Sequence, residues 1–520
     1  MKRNKQITIV AKYFILLAAV ILISATNREN QPQTTPDALY KQLTGRPILN
    51  EKATGEVFCW HARSGMNRFI DNYKLTGNQK WLDAGVKYYD FLLNKRDTDP
   101  DGYKGWIGPY IYDKSYWQDA LVGDAILFAG ILDFSVLVLE DKKLKRKYGD
   151  KARSYVETAK KDVIEKWDKR GCFYEDGPFA GYIGFGKFFK PGDISEWVVK
   201  PEVNRAGVSH PFNKQMDVAE VCLRIHRLTG EQQYWDVAEK IYYTSKRRFQ
   251  YFDDHYCWNY WEPLYPGDID FEKQNTRHWV GVHAWRSGYQ AGEVSKIVEA
   301  YHYGIVFSKE DMQRIINTNL EVMWNKDREN PVFINSNGLG AERDTTGLAS
   351  FKRAFGHSND FENQGQLWTS LLDFDPTVRE LYELRFEEND NSERYQIYKK
   401  EILAHPPGFS RKHAKDKVKV PEMEFTECED LYHAAVLPHS IPKNGQSIIS
   451  CKSWNGGELK IDLYSNSGEK VTSLYKGNIR PGFFMMKWDG KDPAGKEKLK
   501  GDYRIRWTIN NGYREFPVKI

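Results

Sequence analysis

A segment beginning at Leu75, LTGNQKWLDAGVKYY, returns from Leu228 as LTGEQQYWDVAEKIYY. Both copies set Leu-Thr-Gly before a polar residue and Gln, then place an aromatic, an Asp, a Lys and a Tyr in step. A repeat in fixed register means that the chain builds one supersecondary unit more than once, which restricts the fold more than composition does. Apolar residues recur every three or four positions before each copy, in WHARSGMNRFIDNYK and NKQMDVAEVCLRIHR, and again within it. The unit therefore reads as helix, stop, helix. Gly77 and Gly230 suit the left-handed position that ends a helix, and so short a turn makes the two helices antiparallel neighbours.

Further hairpins of this type are expected from Trp117 to Leu139 with Lys151 to Trp167, from Val280 to Tyr303 with Lys309 to Trp324, and from Gln364 onward. Aromatic, turn-rich segments separate them, among them DTDPDGYKGWIGPY, RGCFYEDG and HYCWNYWEPLYPG. One hairpin cannot bury its apolar face alone, so neighbours must stack, with the more apolar first helices (LVGDAILFAGILDFSVLVL and its counterparts) inside. From about Gly445 the pattern changes to alternation, in ELKIDLYSNSGEKVTSLY, GFFMMKWDGKDPAGK and GDYRIRWTINNGY, which predicts strands joined by tight turns.

The hairpins and their punctuation resemble the (α/α) toroids of carbohydrate-active enzymes, a group that includes six-hairpin glycosidases, polysaccharide lyases and sugar epimerases. The tail, with its order Y-x-x-x-G-x-x-V, P-G, W-D-G-x-D and G-x-Y, resembles FlgD-like immunoglobulin-type domains. These resemblances imply a mainly α fold: a toroid over residues 37–400, a connector over 401–444 and a small β-sandwich over 445–520.

Residues 1–26 read as a secretory signal, with the basic MKRNKQITIVAK, the apolar YFILLAAVILISA and a polar stretch after it. Ile23-Ser24-Ala25 is an imperfect cleavage site, so an uncleaved membrane anchor is the alternative. Either way the chain is expected to be secreted or periplasmic. The formal charge of +5 owes most of its excess to Lys2, Arg3, Lys5 and Lys12 in this segment. The remainder is near neutral and gives no reason to expect a nucleic-acid partner. The six cysteines form no C-x-x-C pair, which argues against a zinc ribbon; Cys172 and Cys257 occupy similar places and form a candidate bridge, with buried thiols as the alternative.

In a toroid, the inner-helix starts and the loops feeding them share one end. Trp106, Tyr110, Tyr174, Tyr260 and Trp261 fall in those loops, where aromatics beside polar groups suit a glycan. The densest polar segment is NTRHWVGVHAWRSGYQAGEV. His278 and His283 are not spaced as a helical metal pair, and no metal or other cofactor is expected. His283, Arg286 and Glu293 share one helix face with Tyr289 nearby, while NRAGVSHPFNKQMD brings Asn204, His210, Asn213 and Asp217 to the next helix start. His61 holds a position equivalent to Asn213 in the repeat, and AFGHSNDFENQGQLW carries His357, Asn359 and Asp360.

Two chemistries fit. β-Elimination at a uronate needs its carboxylate neutralised, a base for the C5 proton and an acid for the leaving oxygen. Asn213 and Arg286 would hold the carboxylate, His283 or His210 would take the proton, and Tyr289 or Tyr260 would serve the leaving group. Glycoside hydrolysis needs two carboxyl groups instead, with Asp119, Asp217, Glu262 and Asp360 as candidates. The expectation is a polysaccharide lyase acting on a poly- or oligosaccharide, with a hydrolase and a non-catalytic glycan-binding protein as alternatives.

Overall fold

A computed structural model describes residues 34–199, 206–281, 287–338, 365–414, 419–492 and 499–520. The second copy builds what its spacing dictates; in the first, the helix expected from Trp60 to Lys74 is broken between Arg63 and Arg68. Arg68–Thr76 and Lys80–Leu93 form one helical pair, and Phe212–Thr229 and Gln232–Lys246 the other. Gly77 (φ 69°) and Gly230 (φ 76°) are both left-handed, and each donates its backbone N–H to a carbonyl four residues back, Tyr73 and His226. Helices Leu121–Glu140 and Lys142–Ala159 form a third pair, the second started by Asp141, whose carboxylate accepts from the N–H groups of Lys143 and Leu144.

The helices Gly55–Arg63, Leu121–Glu140, Phe212–Thr229 and Ser287–Tyr303 pack side by side in chain order. Leu121–Glu140 is apolar all round because helices and aromatic loops enclose it; Phe128, Ile131, Leu132 and Phe134 are fully buried. Its 20 residues would suffice to cross a membrane, but most of that length lies inside the core. The N-terminal apolar segment lies outside the described residues.

The mainly α toroid expected from the sequence is corrected here. Of the described residues about 42 % are helical and 23 % are in strands, and small antiparallel sheets recur along the whole chain. The physical reason is that the aromatic segments between hairpins pair with one another rather than serving as bare connectors. Gly108–Pro109, Trp117–Gln118, Lys187–Lys190 and Asp193–Val199 form one sheet, while Phe173–Asp176 with Phe179–Tyr182 and Gln250–Phe252 with His255–Cys257 form hairpins. No cysteine is bridged: all six, including Cys172 and Cys257, are buried thiols.

Toward the C-terminus Leu431–Leu437, Ser447–Ser453 and Gly482–Trp488 make a three-stranded sheet. Lys470–Ile479, Gly457–Ser465, Asp502–Ile509 and Gly512–Lys519 make a four-stranded one, in that order. Both sheets contribute to one apolar cluster that includes Val436, Ile449, Leu463 and Trp507. The same cluster takes in Phe179 and Ile269 from the helical part, so the sheets are docked. Phe179 stacks on Phe516 at 5.0 Å, and Asp176 accepts from the backbone N–H groups of His439 and Ser440.

Candidate active site

The helices Leu121–Glu140 and Phe212–Thr229 start beside each other, after Ala120 and Pro211, which both hold extended backbone. Neither start is capped by a side chain, so two positive helix ends face the same recess. This recess is narrow, about 30 Å³, and partly open to solvent. Tyr110, Gln118, His210, Lys214 and Glu56 line it, with Phe185 and Trp167 as its apolar wall. The Lys214 ammonium donates to Glu56 Oε1 at 2.5 Å, with both residues buried. His210 is half-buried; its N–H donates to Tyr182 and its carbonyl accepts from the Gln215 amide. Asn213, in the same first turn, keeps a buried Oδ1 with no hydrogen-bond partner.

Beside the recess runs an aromatic strip. Tyr110 meets Phe188 and Tyr112 edge-on, Tyr112 meets His278 at 5.6 Å, and His278 stacks on Trp279 at 4.8 Å. Trp261 is buried against His278 and donates its indole N–H to Ser209 Oγ at 3.1 Å. Tyr260 packs on Tyr289 at 5.1 Å, and its carbonyl accepts from the N–H of Phe212, the first residue of the helix that carries Asn213. Tyr289 is 37 % exposed, unusual for a large aromatic here. The fold thus brings His210, Asn213, Tyr260 and Tyr289 to neighbouring helix starts. His283, Arg286, His357, Asp360, Asn204 and Asn359 lie outside the described residues.

Other expected positions sit elsewhere. Trp106 is in the core, with its indole N–H donated to the Leu92 carbonyl, and so offers no face to a ligand. Tyr174 packs on Tyr265 near Asp176, at the junction with the C-terminal sheets. His61 ends its helix rather than starting one; burial, then the Arg46 guanidinium, lowers its pKa.

The carboxylates proposed for hydrolysis are engaged. Asp119 reaches the recess but is 2 % exposed, bound to Lys166 at 2.7 Å and Arg170 at 2.8 Å. Burial pushes its carboxyl up, and the two cations outweigh that and hold it low. Lys166 also pairs with Asp124 at 2.7 Å, and Arg170 with Asp99. Both of those carboxyls are raised, by burial first and by Asp119 as well. Asp217 pairs with Lys296 at 3.1 Å, and burial raises its pKa. Glu262 is buried, accepting from Asn259 at 2.6 Å and pairing with the His433 ring of the C-terminal sheets.

Glu56, Lys214 and Gln118 emerge from the geometry, and Glu293, expected on the face of His283 and Arg286, takes on a definite environment. Lys214 adjoins Asn213 and stays legible as a helix-start residue; Glu56 is 158 residues away and has no sequence signal linking it to Lys214. Glu293 is fully buried, accepts from the Trp258 indole at 2.6 Å and has an unpartnered Oε1. Burial pushes its carboxyl up to about 8, so it is a neutral acid at neutral pH.

No protein-family model matches the chain, and no curated protein matches it. The resemblances to toroid enzymes and to FlgD-like domains therefore find no support in a family match.

Proposed function

We propose that the chain is a secreted or periplasmic glycan-active enzyme, a lyase that cleaves a uronate-containing polysaccharide by β-elimination. The observation that carries this reading is the recess where two uncapped helix starts converge with His210, Lys214 and Tyr110. Positive helix ends favour a carboxylate, and stabilising that carboxylate as charge develops makes the C5 proton removable. His210 is the base in this reading. Asn213 Oδ1 lacks a partner and is suited to a sugar hydroxyl, and Tyr289 or Tyr260 serves the leaving oxygen. The exposed ring of Tyr289 beside Tyr260 supports a sugar face. The hydrolase alternative is weaker because Asp119 and Asp217 are each paired with a Lys and Glu262 is buried against the His433 ring.

The test is incubation with a panel of uronate polysaccharides, following the ultraviolet absorbance of the unsaturated uronate that only elimination makes. Turnover is expected in the native chain and should fall by about 10²–10⁴-fold in His210→Ala, the share of a general base. Reducing ends released without unsaturation would instead identify a hydrolase, and binding without turnover a carrier of glycans.

A further inference from the structure

A second, larger cavity of about 410 Å³ lies at the other end of the same helices. Asp133 is 12 residues beyond Leu121 and Arg224 is 10 beyond Lys214. At 1.5 Å per residue, that is roughly 15–18 Å from the recess along each helix axis. The wall is polar and comes from separate elements: Arg63, Asp133, Glu220, Arg224 and Glu299 from four helices, then Asp373 and Lys412 from beyond them. Arg224 is its centre, bound to Asp133 at 2.7 Å and Glu299 at 3.1 Å, with Glu220 at 3.8 Å.

Three features say that this space is built for a ligand. The His302 ring lines it at 6 % exposure; Nδ1 makes no hydrogen bond, and Nε2 faces the Asp373 carboxylate at 3.5 Å. Ser370 Oγ, also on the wall, is buried and unpartnered. Buried polar atoms of this kind ordinarily find partners, so donors and acceptors here stand ready for an incoming one. Third, the fixed charges cancel. Three cations (Arg63, Arg224 and Lys412) face four acids, of which Glu220 and Glu299 lie within hydrogen-bonding reach of each other and share one proton. His413, held down to about 4 by burial and then by Arg227, adds no charge at neutral pH.

We infer that this cavity binds a small neutral polyhydroxyl molecule of sugar-unit size. An anion would meet Asp133 and Asp373, whereas a cation would have to displace the proton between Glu220 and Glu299. A neutral hydroxylic ligand does neither, and its groups both donate and accept, as His302 and Ser370 require. The volume falls within the roughly 300–1,000 Å³ of small-molecule pockets.

The experiment is calorimetric titration of the full chain at neutral pH with free hexoses and pentoses, beside glucuronate and a primary alkylammonium. Saturable binding of at least one neutral sugar is expected. It should weaken about tenfold in Ser370→Ala and in His302→Gln, the share of one hydrogen bond, and stay unchanged in His210→Ala. Loss in His210→Ala with no change in the two cavity variants would place the sugar in the recess and overturn this inference while leaving the lyase reading intact. No binding of any neutral sugar, or tighter binding of the glucuronate or the ammonium, would also overturn it. Far-ultraviolet circular dichroism shows whether each variant is folded; if one is not, the other decides.

Discussion

At the scale of single residues, the molecule concentrates charge where water cannot reach. Lys166 is fully buried and its ammonium is shared by Asp119, Asp124 and the Lys104 carbonyl. Removing this ammonium leaves Asp124 without its cation and Asp119 with Arg170 alone, so Lys166→Met should cost about 3–5 kcal/mol in urea unfolding. A change below about 1 kcal/mol would show that the cluster re-protonates at little cost. Glu293 gives a pH signature. Its folded pKa of about 8 lies above that of the unfolded chain, so the folded state holds a proton that the unfolded state has lost. Its contribution is complete at low pH and disappears as pH rises through about 8. Over that window it should lower stability by up to about 1.4 kcal/mol per pH unit. The isosteric Glu293→Gln should flatten the difference between unfolding curves taken at pH 6 and pH 9; identical slopes in both proteins would refute the assignment.

At the scale of elements, the left-handed stops show how local rules hold across the repeat. At Gly77 an added Cβ would meet nothing within 4 Å, so Gly77→Ala tests backbone strain alone. About 1 kcal/mol of destabilisation is expected, with Gly77→Asn milder, measured by denaturant titration. The link between Leu431–Leu437 and the helical part is a different kind of element contact. His433 has φ 52° at a register shift between Tyr432 and Ala435, and its ring reaches Glu262 in the loop that carries Tyr260 and Trp261. That ring also stands against Gly281. His433→Ala should therefore raise amide hydrogen exchange in residues 258–265 while the helical circular dichroism stays. His433→Gln, which keeps a donor, should restore much of the protection. Unchanged exchange in both would mean that the loop holds its own shape.

At the scale of the whole molecule, the two C-terminal sheets and the helices share burial. Phe179 lies in the sheets' apolar cluster, and Arg248 sits over Phe516 at 4.6 Å. A chain ending near Pro442 would keep Leu431–Leu437 but lose its partner Ser447–Ser453, and would bare Phe179. The full chain should melt in one cooperative transition, and the shortened one should melt lower and aggregate. Two separate transitions in the full chain would show the docking to be weak.

The helix that holds Tyr289 begins at Ser287 and not near Val280, but the paired helices, the glycine stops, the strand alternation after Gly445 and the start of the helix that holds Asn213 were legible in the chain itself. Each of these follows from periodicity or backbone sterics within a few residues, which any stretch of chain expresses locally. That the aromatic connectors pair into sheets, so that the fold is mixed rather than mainly α, shows only in three dimensions. The same is true of the ion cluster that holds Asp119, of Trp106 in the core, and of the meetings of Glu56 with Lys214 and of Glu262 with His433. Strand pairing and buried ion pairs join residues far apart in the chain. Their energy depends on who the distant partner is and on how much water it excludes, and no local pattern carries that information.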